Sequence, residues 1–160
     1  MKHDAGSVRG ARQSESPCRV SSTPGSAARM NTEPVVVRLE EREWEAWPGE
    51  RVAVRGPAEW KTLISAGLTR SEGLTLGVAR LPPGGSLHRH HHAQHEAYLV
   101  LEGTGMVTID GAARAVVPGA AVFIPGDALH SVTATGETHL RFAYVLSADA
   151  FEDVEYVFDE

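Results

Sequence analysis

A single cysteine, Cys18, is present among the 160 residues, so no disulfide can close within the chain and nothing marks an oxidising compartment. Long apolar runs are missing as well. No window approaches the roughly 20 continuous apolar residues that a membrane-spanning helix needs, and the N-terminus lacks the apolar block of a secretory signal. There is no basic excess either: 15 Lys and Arg stand against 21 Asp and Glu, and the net charge of −6 repels phosphate backbones and anionic lipid. No Lys/Arg stripe offsets this locally. These absences argue against nucleic-acid and membrane partners and lead us to expect a cytoplasmic protein. Among the residues present, 42% are hydrophobic, enough for one sizeable core in a chain too short for two ordinary domains with linkers.

Residues 1–33 are rich in Ser, Gly, Ala and Arg and poor in large apolar side chains, so burial cannot offset the entropy of ordering them. We read them as a disordered tail, with residues 34–160 as the folded domain. The tail is Arg-rich and acid-poor like a transit peptide but has no amphipathic period, and Met30 is an alternative start of translation. From Val35 onward the pattern is one of short strands: Val35 to Leu39, Arg51 to Val54, Leu74 to Leu81, Ala97 to Leu101, Met106 to Ile109, Arg114 to Val117, Ala120 to Ile124, Ser131 to Thr135, His139 to Leu146 and Val154 to Phe158. Only Ala58 to Ala66, around Trp60, reads as a short helix. Asp110-Gly111 lies between two β-rich runs and signals a tight hairpin, because both residues tolerate positive φ. Pro82-Pro83-Gly84-Gly85, Pro118-Gly119 and Pro125-Gly126 punctuate the remainder. Many short antiparallel strands at nearly even spacing predict an all-β fold, a double-sheet jelly roll or small barrel enclosing a cavity.

Five of the eight histidines fall between His88 and His95. His90 and His92 are one residue apart, so on an extended strand their imidazoles share a face, and Glu96 follows with the same parity. One strand cannot close a coordination sphere. The candidate for the remaining donor is His130, just after Pro125-Gly126-Asp127-Ala128-Leu129. Three imidazoles and a carboxylate suit one divalent transition metal, Fe, Mn, Ni, Co or Zn, with positions left for water or substrate.

These residues resemble the cupin superfamily. Its first motif is Gly, five residues, His-x-His, three or four residues, Glu, six residues and Gly, matched here by Gly84, His90, His92, Glu96 and Gly103. Its second is Gly, five residues, Pro-x-Gly, two residues, His, three residues and Asn, matched by Gly119, Pro125 and His130. Asp127 replaces the usual Gly and Ala134 the usual Asn. The resemblance spans Leu74 to Leu146 and implies a double-stranded β-helix with His90, His92, Glu96 and His130 as metal ligands.

The other histidines and aromatics are weighed one by one. His88 shares the parity of His90 and either lines the cavity mouth or sits solvated at its rim, the preferred reading. His91, His95, His139 and His3 are expected on the surface. Tyr98 lies two residues beyond Glu96 on the same face; it either packs with its hydroxyl bonded, the preferred reading, or acts as a base. Phe142 is expected in the core and Tyr144 at the pocket wall. Arg80 and Arg141 are expected in surface salt bridges rather than as a carboxylate clamp. His95-Glu96 starts a zinc-protease pattern that Leu99 breaks, and Gly103-Thr104-Gly105 lacks the third Gly of a dinucleotide loop.

Function is not set by such a scaffold. Three readings stand: a metalloenzyme of lyase or isomerase type acting on a small carboxylate-bearing molecule, an Fe(II)-dependent dioxygenase, and a non-catalytic metal-dependent binding or sensor protein. The first is preferred, with Tyr98 as candidate base and an arrangement resembling that of the cupin lyases of dimethylsulfoniopropionate. Val35 to Leu39 and the Trp44 and Trp47 pair are expected to pack across a two-fold axis in a homodimer.

Overall fold

The computed structural model describes residues 34–159. The tail reading, Cys18, Met30 and His3 lie outside them. The elements are β1 (Glu45–Ala46), α1 (Gly49–Arg55), β2 (Glu59–Ile64), β3 (Thr75–Leu81), β4 (Ser86–His91), β5 (Glu96–Glu102), β6 (Gly105–Ile109), β7 (Ala112–Val116), β8 (Ala121–Ile124), β9 (His130–Ala134), β10 (Leu140–Leu146) and β11 (Val157–Phe158), with 3-10 turns at Leu39–Glu41 and Phe151–Asp153. They form two antiparallel sheets, one ordered β1-β2-β3-β10-β5-β8 and the other β11-β4-β9-β6-β7. No helix among the described residues is long and apolar enough to cross a membrane.

Alternation drives the packing. Along β10, Leu140, Phe142, Tyr144 and Leu146 are buried while Arg141, Ala143 and Val145 face outward, and β9 buries His130, Val132 and Ala134 in the same manner. Leu81, Ile124, Leu140 and Leu146 are fully enclosed between the sheets. The Asp110-Gly111 turn forms as its sequence predicts: Ile109 pairs with Ala112, and both turn residues have positive φ, 47° and 81°, the backbone that suits strand twist in a two-residue hairpin.

The region before β3 departs from the sequence expectation in three places. Arg51 to Val54, read as a strand, belongs to α1, which starts after Pro48 and ends at Gly56 with φ 88°. A Cβ at Gly56 would lie 1.7 Å from the Ser86 carbonyl oxygen, so glycine both stops the helix and lets it dock on β4. Ala58 to Ala66, read as a helix, is mostly β2; Trp60 and Thr62 turn inward in alternation, and Trp60 sits opposite Ala79 of β3. Val35 to Leu39 is not a strand, since β1 occupies the edge of β2, and Val36 is 89% exposed. The two tryptophans assigned to a two-fold axis are engaged within the chain. Trp47 packs against Trp60, Tyr156 and Phe158, and Trp44 lies under the Arg80 guanidinium and the Lys61 ammonium.

Candidate metal centre

The strand parity read from the sequence is realised in space. Along the segment from β4 into the following loop, His90 and His92 are buried while Arg89 is exposed and His91 half-buried, and Glu96 opens β5 with its side chain enclosed. His130 opens β9 directly opposite His90. Two loop contacts hold the ends of these strands together: Asp127 N–H donates to the His92 carbonyl, and Gly126 N–H donates to His95 Nδ1. Asp127 adopts φ 63°, so it takes the left-handed turn at the position where glycine is usual. His95 is exposed as expected, yet it has this structural task.

Each buried imidazole is oriented by a backbone carbonyl. Nδ1 of His90 lies 2.7 Å from the His88 carbonyl, Nδ1 of His130 lies 2.8 Å from that of Ala128, and Nδ1 of His92 lies 3.1 Å from that of Gln94. A carbonyl only accepts, so each Nδ1 carries a proton and each ring turns its Nε2 inward. Ligand atoms of His90, His92 and His130 lie within 4.8 Å of one another. Glu96 Oε2 is 3.3 Å from both His92 Nε2 and His130 Nε2, and among the described residues Nε2 of His90 and of His130 makes no hydrogen bond.

Three inward Nε2 atoms and a carboxylate in one buried space are unfavourable unless protons or a cation lie among them. Burial, with the neighbouring His130, lowers the His90 pKa to about 3, so protonation of that ring does not supply the charge at neutral pH. Burial pushes the Glu96 carboxyl up, but the imidazoles of His130 and His92 more than offset this and hold it below its ordinary value. Three imidazoles beside a carboxylate are the donor chemistry of a divalent transition-metal site. The buried three-histidine group therefore fits a metal.

Aromatic rings enclose this group. Phe158 stacks on His90 at 5.0 Å between centroids, and Tyr156 lies 5.3 Å from His90 and 5.2 Å from His92. β11 brings both, because Phe158 pairs with His90 across β4. A cavity of about 40 Å³ adjoins the group, lined by Trp47, Ala58, Trp60, Ala79, Leu87, Glu96, Tyr144, Phe151 and Tyr156. Tyr144 stands at its wall as the sequence predicts, with its hydroxyl 3.2 Å from Thr62 Oγ1. Gly77 makes room for this phenol: a Cβ there would sit 2.3 Å from the Tyr144 hydroxyl.

Tyr98 is buried beside Glu96 and packs on Phe142 at 4.6 Å, but it is not among the cavity-lining residues. Burial, then the charge of Glu96, raises its phenol well above the usual range, and the same causes act on Tyr156. Phe142 is a core residue. Arg80 and Arg141 pair with Glu59 and Glu102, as expected for surface cations. His88 is exposed with Nδ1 bonded to the Val54 carbonyl, a rim position away from the cluster. Sequence reasoning missed Trp47, Trp60, Phe151, Tyr156 and Phe158. Their only signal was the density of aromatics flanking the motif region.

Comparison with known proteins bears on the same residues. The cupin domain family matches residues 77–147. The chain is 44% identical over 103 residues to dimethylsulfoniopropionate lyase DddW of Ruegeria pomeroyi, an alignment covering 64% of this chain and 67% of that protein. The chain belongs to the cupin superfamily. A second relative, an oxalate-binding protein of Thermotoga maritima, is 29% identical over 93 residues, 58% of this chain and 77% of that one. Among solved structures, a cupin-2 domain of Rhodospirillum rubrum superposes with TM-score 0.64 at 21% identity, over 81% of this chain and 82% of that chain. A predicted oxalate decarboxylase of Thermotoga maritima gives TM-score 0.60 at 28% identity, over 71% and 99%. The cupin fold thus accounts for both sheets and for the inward convergence of the histidines.

Proposed function

We propose that this cupin is a metal-dependent lyase that cleaves a short carboxylate bearing an onium group, with dimethylsulfoniopropionate as the first substrate to test. The observation that carries this reading is the Glu96 carboxylate, 3.3 Å from His92 and His130, in the wall of a small cavity whose lining is mostly aromatic. Aromatic faces attract an onium centre through their quadrupoles, and the 44% identity to a lyase of this class supports the choice. His90, His92, Glu96 and His130 would hold the ion. When bound, a divalent ion supplies Lewis-acid stabilisation of the negative charge that develops on the substrate carboxylate.

The reaction this site suits is an elimination. A base takes the proton from the carbon next to the carboxylate, that electron pair forms the carbon–carbon double bond, and the carbon–sulfur bond breaks with its pair leaving on dimethyl sulfide. Acrylate remains. The candidate base is Tyr98, whose phenol lies beside Glu96 though outside the cavity lining, and the place of Tyr156 in the cavity wall supports a second assignment; either phenol would act as phenolate, a form that a nearby bound cation favours. The exclusion of water by Trp47, Trp60 and Phe151 strengthens every charge interaction within the cavity.

The test is reconstitution with Mn(II), Fe(II), Co(II), Ni(II) and Zn(II) in turn, with headspace dimethyl sulfide and dissolved acrylate both quantified. Equal release of the two supports the lyase. Oxygen uptake without dimethyl sulfide moves the reading to a dioxygenase. The identity to an oxalate-binding protein supports one other reading, ligand capture without turnover, which would show as thermal stabilisation by oxalate or a similar acid with no product. Tyr98→Phe that retains metal and loses turnover supports Tyr98 as the base; retained turnover there, with loss in Tyr156→Phe, moves the role.

A further inference from the structure

Trp47 and Trp60 share the cavity wall, with ring centroids 4.5 Å apart. The indole Nε1–H of each is buried and has no hydrogen-bond partner among the described residues, and Trp60 is only 9% exposed. An indole N–H can only donate, and a buried donor without an acceptor is strongly disfavoured, so native proteins keep few of them. Two on neighbouring rings of one cavity indicate that a ligand brings the acceptors. Of the other polar groups of that wall, the Tyr144 hydroxyl lies against Thr62, and the Glu96 carboxylate faces the histidine cluster.

We propose that Trp47 and Trp60 are substrate-positioning residues, their two indole N–H groups donating to the carboxylate of the bound substrate. A carboxylate offers about four lone-pair directions on two oxygens. Coordination to one cation leaves acceptor sites over, and a pair of donors fits them. Arg55 supports this arrangement from outside: its guanidinium stacks on Trp47 at 4.5 Å and on Phe158 at 4.9 Å, so α1 holds the Trp47 ring in place. The inference rests on the carboxylate substrate class of the proposed lyase and adds which side chains recognise that carboxylate.

The sequence holds three tryptophans, so the test is indole N–H spectroscopy of the ¹⁵N-labelled, Zn(II)-loaded protein, with each signal assigned by a Trp→Phe variant. Titration with acrylate is expected to move the Trp47 and Trp60 indole protons downfield. Trp44, which stacks on Arg80 outside the cavity, is expected to stay. Trimethylsulfonium, an onium without a carboxylate, is expected to produce no such downfield movement. In turnover, Trp47→Phe and Trp60→Phe should each raise KM about tenfold with a smaller change in kcat, the loss expected for a hydrogen bond to a charged group. Unmoved Trp47 and Trp60 signals at every acrylate concentration overturn the assignment, whether or not dimethylsulfoniopropionate is cleaved. Shifted signals with no cleavage of that substrate overturn the lyase reading and leave the carboxylate-recognising tryptophans standing.

Discussion

Three backbone carbonyls pin His90, His92 and His130 through Nδ1, and burial commits the His90 ring to its neutral form. That commitment has a pH signature in the metal-free chain. The folded pKa of His90 is depressed to about 3, whereas an unfolded histidine titrates near 6.5. Between those values the unfolded state binds a proton that the folded state refuses. The contribution of His90 is therefore fully present above pH 6.5 and is lost as pH falls toward 3, at up to about 1.4 kcal/mol per pH unit. Urea melts of EDTA-treated protein from pH 7.5 to 4.5 should show this decline, and His90→Asn should flatten it. A second expectation concerns the carboxylate: Glu96→Gln and His130→Ala should bind metal at least tenfold more weakly while circular dichroism stays that of the β fold, and full metal occupancy in both would overturn the ligand assignment. At this scale the site was legible because strand parity is a local property: His90, His92 and Glu96 share it within seven residues, and the spacing around Pro125 marks His130. Tyr156 was not legible. It reaches the histidines only through a pairing between β11 and β4, and nothing near Tyr156 in sequence announces that partner.

Elements were read well where alternation is clean and poorly where it is short. Strands β3 and β5 to β10 follow the runs expected of them within one or two residues at each end. Arg51 to Val54 carries two β-branched residues and reads as a strand, yet Pro48 before it and Gly56 after it frame a helix, and framing decides over so short a run. The apolar residues of β2 recur at spacings compatible with either period, and the resolving fact, the pairing of Trp60 with Ala79, is non-local. Two glycine substitutions test the elements. Gly56→Ala places a Cβ into the Ser86 carbonyl at a positive φ, so α1 should lift from β4 with a loss on the order of 2 kcal/mol or more in denaturant melts. Gly77→Ala should drive the Tyr144 ring off Thr62 and into the cavity, measurable as weaker acrylate binding with metal content unchanged.

Across the whole molecule, pairings distant in sequence dominate. β3 is joined to β10, and β4 lies between β9 and β11. Chains of this kind close large loops before contacts reward them and fold in milliseconds to seconds. Stopped-flow refolding of the metal-free chain should fall in that range, and added Zn(II) should leave its main rate unchanged while slowing unfolding, because an ion that binds only the assembled site acts after the barrier is crossed. A metal-dependent refolding rate would show instead that the ion helps nucleate the sheets. The pairing of His90 with His130, 40 positions later in the chain, then carries a consequence for biosynthesis. As the polypeptide is made, His90 and His92 enter solution well before His130 does. For that interval the nascent chain offers a half-site of two imidazoles and the Glu96 carboxylate, and it is the later arrival of β9, not the first ion encountered, that determines when the cage shuts.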